Sequence, residues 1–336
     1  MEVYLDNAAT TSVDPKVRER MLQVMENSYG NASSLHDKGE EARKIVEEAR
    51  SVIAAKIGAE DKDLYFTSGA SESNNLAIRG LLAKSSKKHI VCSAIEHSSV
   101  LDLCKQLEKE GYKVSYLPVD EQGFVELREI EDDVALVIVM HANNEVGVVQ
   151  NVERIGEQCE MKGVMFHCDA AQSLCKVDID IKKFKVTSMA FSAHKVYGPK
   201  GVGALYLSKK VEPLFYGGRQ EKGVRPGTEN VAGIAGFAEA VKIDNKVEAV
   251  RELRNYFVEK VLEIPETFLN GSKEKRLCNN VNICFKGIEG ETLLQHLNLK
   301  KVYVSTGSAC SSKKKGASHV LLAMGLSEKD AECSIR

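Results

Sequence analysis

The run Ala135-Leu136-Val137-Ile138-Val139-Met140 constrains the fold of this chain more than any other stretch. It is apolar at every position, and a strand of that kind needs cover on both faces. It is not alone. Strand-like segments at 63–67, 89–93, 113–117, 164–168, 186–191 and 204–207 alternate with helical patterns, among them a long amphipathic one from Leu35 to Ile57 that stops at Gly58. Such alternation implies an α/β fold, a mostly parallel central sheet with helices on both faces. At 336 residues the chain has room for that domain and a second, smaller one.

The flanking segments fill in the rest. Tyr4 to Thr11 reads as a short strand running into small polar residues, and Asp14-Pro15 as an N-cap with proline at the first helical position. Ser68 to Glu72 open a helix that reaches Leu82. After Gly203 come two polar, glycine-rich loops, Tyr216 to Glu221 and Arg225 to Asn230, then a helix from Val231 toward Phe257 with one weak spot near Asp244-Asn245. A strand at 280–285 and a helix at 290–297 read as a small α+β domain, with Val302 to Val304 leading into a loop of small residues. The expected division is a large α/β domain over 15–245 and a small domain built from 1–14 with 246–336.

Composition excludes several classes of function. Hydrophobic content of 43% and charged content of 28% are ordinary for a soluble globular protein, and a net charge of -2 gives no electrostatic case for nucleic acid or an anionic membrane. No apolar run approaches a membrane span and the amino terminus is no signal peptide, so a cytoplasmic location is expected. The nine cysteines are scattered, odd in number and without a C-x-x-C pair, which argues against a disulfide framework. His167-Cys168-Asp169 alternate across a strand and cannot converge on one ion, so no metal is expected.

The informative feature is where the polar residues fall. Ser68 to Ser71, His97, Asn144, Asp169 with Gln172, and Ser192 to Lys195 all follow the carboxyl ends of separate strands. In a parallel sheet these ends meet along one edge, where open α/β sheets bind ligands. Each has an ordinary reading: Lys195 as a solvated lysine, His97 as a core histidine, Ser68 or Ser71 as an N-cap. Together they make a site. A lysine held partly out of water can attack a carbonyl cofactor, and a buried Asp169 needs a cation, whether a pyridinium nitrogen or an Arg or Lys. The His97 ring can stack on a flat cofactor and shuttle protons. Gly69-Ala70-Ser71, at a strand-to-helix turn, offers backbone N–H groups to a phosphate. Gly198 to Gly203 lead into a strand, so they are neither a Walker A loop nor a dinucleotide fingerprint, and no G-x-S-x-G elbow occurs. Cys310 sits on a Ser-rich loop beside Lys313, Lys314 and Lys315, which favour its thiolate.

Taken in order, several motifs resemble the cysteine desulfurases, pyridoxal-phosphate enzymes of the class V aminotransferase group. They are Tyr4 to Thr11, Gly30 to His36, Phe66 to Glu72, Glu96-His97, Asn143 to Gly147, Asp169 to Gln172, Ser192 to Lys195, Arg225 to Thr228 and Ser305 to Cys310. The resemblance implies pyridoxal 5'-phosphate carried by Lys195, with Asp169 on the ring nitrogen, Gln172 on the ring hydroxyl and His97 stacked on the ring. It places Ala70, Ser71, Ser192 and His194 at the phosphate, joined by Thr228 from the second subunit of a homodimer. Asn144 would lie near the ring and the substrate carboxylate, which Arg336 would clamp.

The implied reaction removes sulfur from L-cysteine, with Lys195, Cys310 and His97 as catalytic residues. Lys195 moves the Cα proton, the Cys310 thiolate takes the sulfur as a persulfide, and L-alanine leaves. An acceptor protein then receives the sulfur for iron–sulfur cluster assembly or tRNA thiolation. The family continues past the position of Arg336, so the small domain is expected to lack its C-terminal end and Arg336 to be poorly anchored, because termini fray. Two alternatives stand beside an active desulfurase: a non-catalytic dimeric or sulfur-carrier protein of the same fold, and a selenocysteine lyase or class V aminotransferase.

Overall fold

The structure, a computed structural model, describes residues 2–127, 129–307 and 316–336. In chain order, β1 is Val3–Tyr4, α1 Pro15–Asn27, α2 Asp37–Ile57, β2 Leu64–Thr67, α3 Ala70–Leu82, β3 His89–Ser93, α4 Ser98–Lys109 and β4 Lys113–Leu117. Then come β5 Val134–Ile138, α5 Val152–Met161, β6 Met165–Asp169, α6 Ile181–Phe184, β7 Ser188–Ser192 and β8 Gly203–Leu207. The remainder is α7 Val231–Lys242, α8 Val247–Val261, β9 Thr267–Leu269, β10 Ile283–Phe285, α9 Gly290–Leu299, β11 Val302–Tyr303, α10 His319–Ala323, α11 Glu328–Glu332 and β12 Ser334–Ile335.

Local chemistry sets several of these boundaries. The Asp14 side chain accepts from the Lys16 amide, with Pro15 at the first helical position, so α1 starts as the sequence predicts. Gly58 takes φ 72° and ends α2, a left-handed conformation that costs glycine little. The helix expected from Val231 toward Phe257 is two helices. Ile243 turns extended and Lys246 adopts φ 46°, so the chain breaks around Asp244-Asn245.

The central sheet has the order β2-β8-β7-β6-β5-β3-β4. All pairings are parallel except those of β8, which runs antiparallel to both neighbours. Because β8 reverses twice, β2 points the same way as β7, β6, β5 and β3. Every residue of β5 is buried, and alternate side chains go to opposite layers. Val137 joins the core that α1, α2 and α7 close with Val17, Ile53 and Phe237. Leu136 and Ile138 face the layer that α3 and α4 close with Leu81, Leu103 and Leu107. That is the two-sided cover the apolar run demands. Elsewhere β9, β10 and β12 form an antiparallel sheet, and β1 pairs in parallel with β11. Among the described residues no helix is long and apolar enough to cross a membrane.

Candidate active site

The shared direction of β2, β3, β5, β6 and β7 brings their carboxyl ends to one edge. A cavity of about 490 Å³ opens there, lined by Ala70, Ser71, His97, Asn144, Asp169, Gln172, Ser192, His194, Lys195 and Arg336. Ten of the twelve residues picked out by sequence are thereby gathered. Thr228 lines a separate cavity of about 140 Å³, with Arg225 and Glu229. Cys310 lies outside the described residues.

Asp169 ends β6 and is only 4% exposed. Its Oδ1 accepts from the Ala171 amide at 2.9 Å and its Oδ2 from Asn74 Nδ2 at 2.8 Å. Lys195 closes a short turn after β7 and donates from Nζ to the Ala8 and Ala9 carbonyls, 2.7 Å each. Gln172 Nε2 donates to the same Ala8 carbonyl at 2.8 Å, and the buried Lys176 donates to the Gln172 carbonyl at 2.8 Å. Burial brings the Lys176 amine down to about 8, with the Lys195 charge acting in the same direction. Sequence reasoning passed over Lys176, which stands four residues beyond Gln172.

The other end of the cavity suits an anion. Gly69 precedes α3 and gives that helix no side-chain cap. A side chain at Gly203 would lie 2.5 Å from the Gly69 Cα, so glycine on β8 is what allows this close approach. Ser192 and His194 stand beside the α3 N-terminus on the cavity wall. Burial first, then the Lys195, Lys200 and Lys176 charges, hold His194 down to about 4.

Arg336 corrects an expectation. Its Nη2 pairs with Asp6 Oδ1 at 2.7 Å and its Nη1 donates to the Asn144 carbonyl at 2.9 Å. Its backbone exchanges two hydrogen bonds with Ser305, and β12 just before it pairs antiparallel with β10. Strand pairing and a buried ion pair override the tendency of a terminus to fray.

Burial also sets a pH response. His141 and His167 are held down to about 4, from an ordinary 6.5, by loss of solvation. Between those values the unfolded chain binds protons that the folded chain does not. The contribution of these two rings to stability is therefore complete above about pH 6.5 and falls as the pH drops toward 4, by up to about 1.4 kcal/mol per pH unit for each ring. Urea midpoints followed from about pH 7.5 to about pH 4.5 should lose less, or gain more, in a His167→Gln variant than in the parent, the difference being the His167 contribution.

A model of the class-V aminotransferases matches residues 3–329. The chain belongs to the class-V aminotransferase family. Within that family it is 45% identical over 349 residues to a cysteine desulfurase IscS of Dictyoglomus turgidum, covering 100% of this chain and 89% of the relative. It is 44% identical to the IscS of Escherichia coli O139:H28, covering 100% of this chain and 87% of that one. Among solved structures, a NifS-like protein superposes with a TM-score of 0.93 at 37% identity, covering 100% of this chain and 93% of its own. SspA in complex with cysteine superposes with a TM-score of 0.89 at 36% identity, covering 100% and 98%.

Proposed function

We propose that this chain is a pyridoxal-phosphate-dependent cysteine desulfurase that takes sulfur from L-cysteine, releases L-alanine and leaves the sulfur on Cys310. The observation that carries the reading is the convergence of the Lys195 amine, the buried Asp169 carboxylate and the uncapped α3 N-terminus on one cavity. That donor set fits the cofactor. Asp169 would hold a ring N–H, Gln172 the ring hydroxyl and His97 the ring face. Ala70, Ser71, Ser192 and His194 would hold the phosphate, and Lys195 would carry the group. When bound, the cofactor supplies a sink for the electron pair left when the Cα proton departs.

The remaining work falls to this chain's own side chains. Asn144 and Arg336 bind and orient the substrate carboxylate, and the strong anchoring of Arg336 supports a competent clamp over an impaired one. Lys195 and His97 move protons at Cα and at the departing carbon. The Cys310 thiolate forms a new S–S bond with the substrate sulfur as the C–S bond breaks, and a proton completes the methyl group of alanine. Among the other cysteines, those at 92, 104, 159, 168, 278, 284 and 333 are buried. Cys175 is half-buried, with burial raising its thiol. A buried thiol is a poor nucleophile, which supports the assignment to Cys310.

Several finer parts of the reading are proposals of the same kind. A homodimer is supported by the exposed apolar residues Leu22, Met25, Tyr29 and Leu35, the last 98% exposed, and would bring Thr228 to the partner's phosphate site. A sulfur-acceptor protein would take the persulfide onward in the cytoplasm. The division into 15–245 and 1–14 with 246–336 is supported by the placement of the seven-stranded sheet between β2 and β8.

Incubation of the purified holoprotein with L-cysteine and an excess of a thiol reductant, which reduces the Cys310 persulfide to sulfide and restores the thiol, is expected to yield alanine and sulfide in equal amounts. A Cys310→Ser variant should keep the absorbance of the bound cofactor yet form no persulfide and release no sulfide. Full sulfide release by that variant would sink the assignment.

A further inference from the structure

A continuous line of hydrogen bonds links Asp169 to His97 through residues outside the set picked out by sequence. Its centre is Asn74, fully buried in α3. The Asn74 amide nitrogen carries two hydrogens and both have acceptors: Asp169 Oδ2 at 2.8 Å and Ser99 Oγ at 3.0 Å. The Asn74 carbonyl oxygen lies 3.0 Å from His167 Nε2. Turning the amide over would set its oxygen against the Asp169 carboxylate, so the orientation is fixed by charge.

The proton positions then follow one from another. His167 must carry a hydrogen on Nε2, which leaves its Nδ1 to accept from Ser188 Oγ at 2.8 Å. Ser99 Oγ accepts from Asn74 and gives its own hydrogen to His97 Nδ1 at 2.9 Å, which the Ser99 amide also approaches at 3.1 Å. His97 Nδ1 is thus an acceptor twice over, and the neutral ring holds its hydrogen on Nε2. Every member of the line is satisfied, the condition under which a buried polar network rigidifies a site.

We propose that Asn74 is a positioning residue for the reaction: its amide holds the Asp169 carboxylate and, by directing the Ser99 hydroxyl, adds to the Ser99 amide the second hydrogen bond that holds His97 as an acceptor at Nδ1. His97 then gives and takes protons at Nε2 alone, in one direction. The functional meaning rests on the roles proposed above for Asp169 and His97; the hydrogen-bond line does not.

The test uses holoprotein labelled with ¹⁵N histidine, the His97 ring being assigned by its loss in His97→Gln. In the parent protein His97 should show a protonated Nε2 and a hydrogen-bonded, unprotonated Nδ1. In Asn74→Ala, which frees the Ser99 hydroxyl from its donor while the Ser99 amide still meets Nδ1, the Nδ1 resonance should move part of the way toward the unbonded position, and kcat should fall about tenfold with KM within about twofold. An unmoved His97 resonance, or a moved one with parental kcat, overturns the proposal. Should Asn74→Ala not fold, Ser99→Ala cuts the same line at a half-exposed position: the His97 shift should appear without a change at His167, and Ser99→Thr should restore both resonance and rate. No shift in Ser99→Ala overturns the proposal equally. The resonance needs no turnover, so a wrong assignment of the reaction would show separately, as absence of alanine and sulfide.

Discussion

Replacement of Lys195 by alanine is expected to lower turnover of L-cysteine about a thousandfold or more while leaving the fold intact. The two halves of that expectation come from the same contacts. The amine sits 2.7 Å from the Ala8 and Ala9 carbonyls on the wall of an open cavity. Water can take its place there, so the stability change should stay within about 1 kcal/mol. Chemistry has no such substitute, because a water molecule neither carries the cofactor nor removes a proton at the required atom. Lys195→Arg separates charge from reactivity. Guanidinium keeps the positive charge and the donors to Ala8 and Ala9, but it stays protonated and cannot act as base or nucleophile. Both variants should therefore be equally inactive when alanine and sulfide are measured. An arginine variant keeping more than about a tenth of the activity would make Lys195 an electrostatic anchor and would remove it from the proton-transfer step.

Most of this site was legible because it lies at strand ends. An apolar strand fixes where its last residue points, so Asp169 at the end of β6 and Ser192 to Lys195 at the end of β7 could be placed at one edge from periodicity alone. What escaped was decided by tertiary contact. Asn74 looks like one of several polar residues near a helix start, and only the approach of β6 and α4 makes it the hub between Asp169 and Ser99. Arg336 looked frayed because strand pairing with β10 and its bond to Asp6 lie far away in sequence. The reversal of β8 did leave a signal. Only the segment 193–202 separates it from β7, which is short for a parallel crossover and natural for an antiparallel return. The apolar content of β8 could not reveal its direction, because both faces of the sheet are covered either way.

The second large effect concerns stability and the buried pair Arg50–Glu221. Both Arg50 terminal nitrogens meet the Glu221 carboxylate at 2.8 Å, and the side chains are 5% and 3% exposed. Glu221 Oε2 also accepts from the Phe66 amide at 2.7 Å, and Arg50 donates to the Leu64 carbonyl at 2.8 Å. The pair therefore rivets the loop before α7 to both α2 and β2. It also holds Glu221 at φ 46° and Lys222 at φ 57°, two consecutive left-handed conformations without glycine. Such strain persists only where surrounding contacts over-determine it. Glu221→Ala removes one of the two carboxylates that Arg50 meets and leaves it only the exposed Glu47, at 3.0 and 3.1 Å, a change expected to cost about 2–3 kcal/mol, read as a lower urea midpoint. Glu221→Gln should lie close to alanine, because its neutral amide likewise leaves Arg50 with only the exposed Glu47 as counter-ion. Removing both partners together, as Arg50→Met with Glu221→Leu, should recover part of the loss, since no lone charge then remains buried. The loop released in Glu221→Ala carries Arg225, paired with Glu72 at 2.8 Å, and Thr228 beyond it. If Thr228 serves the partner's phosphate site, cofactor affinity should fall in Glu221→Ala below the concentration needed for unfolding. Unchanged affinity in the folded variant would confine the pair to stability alone.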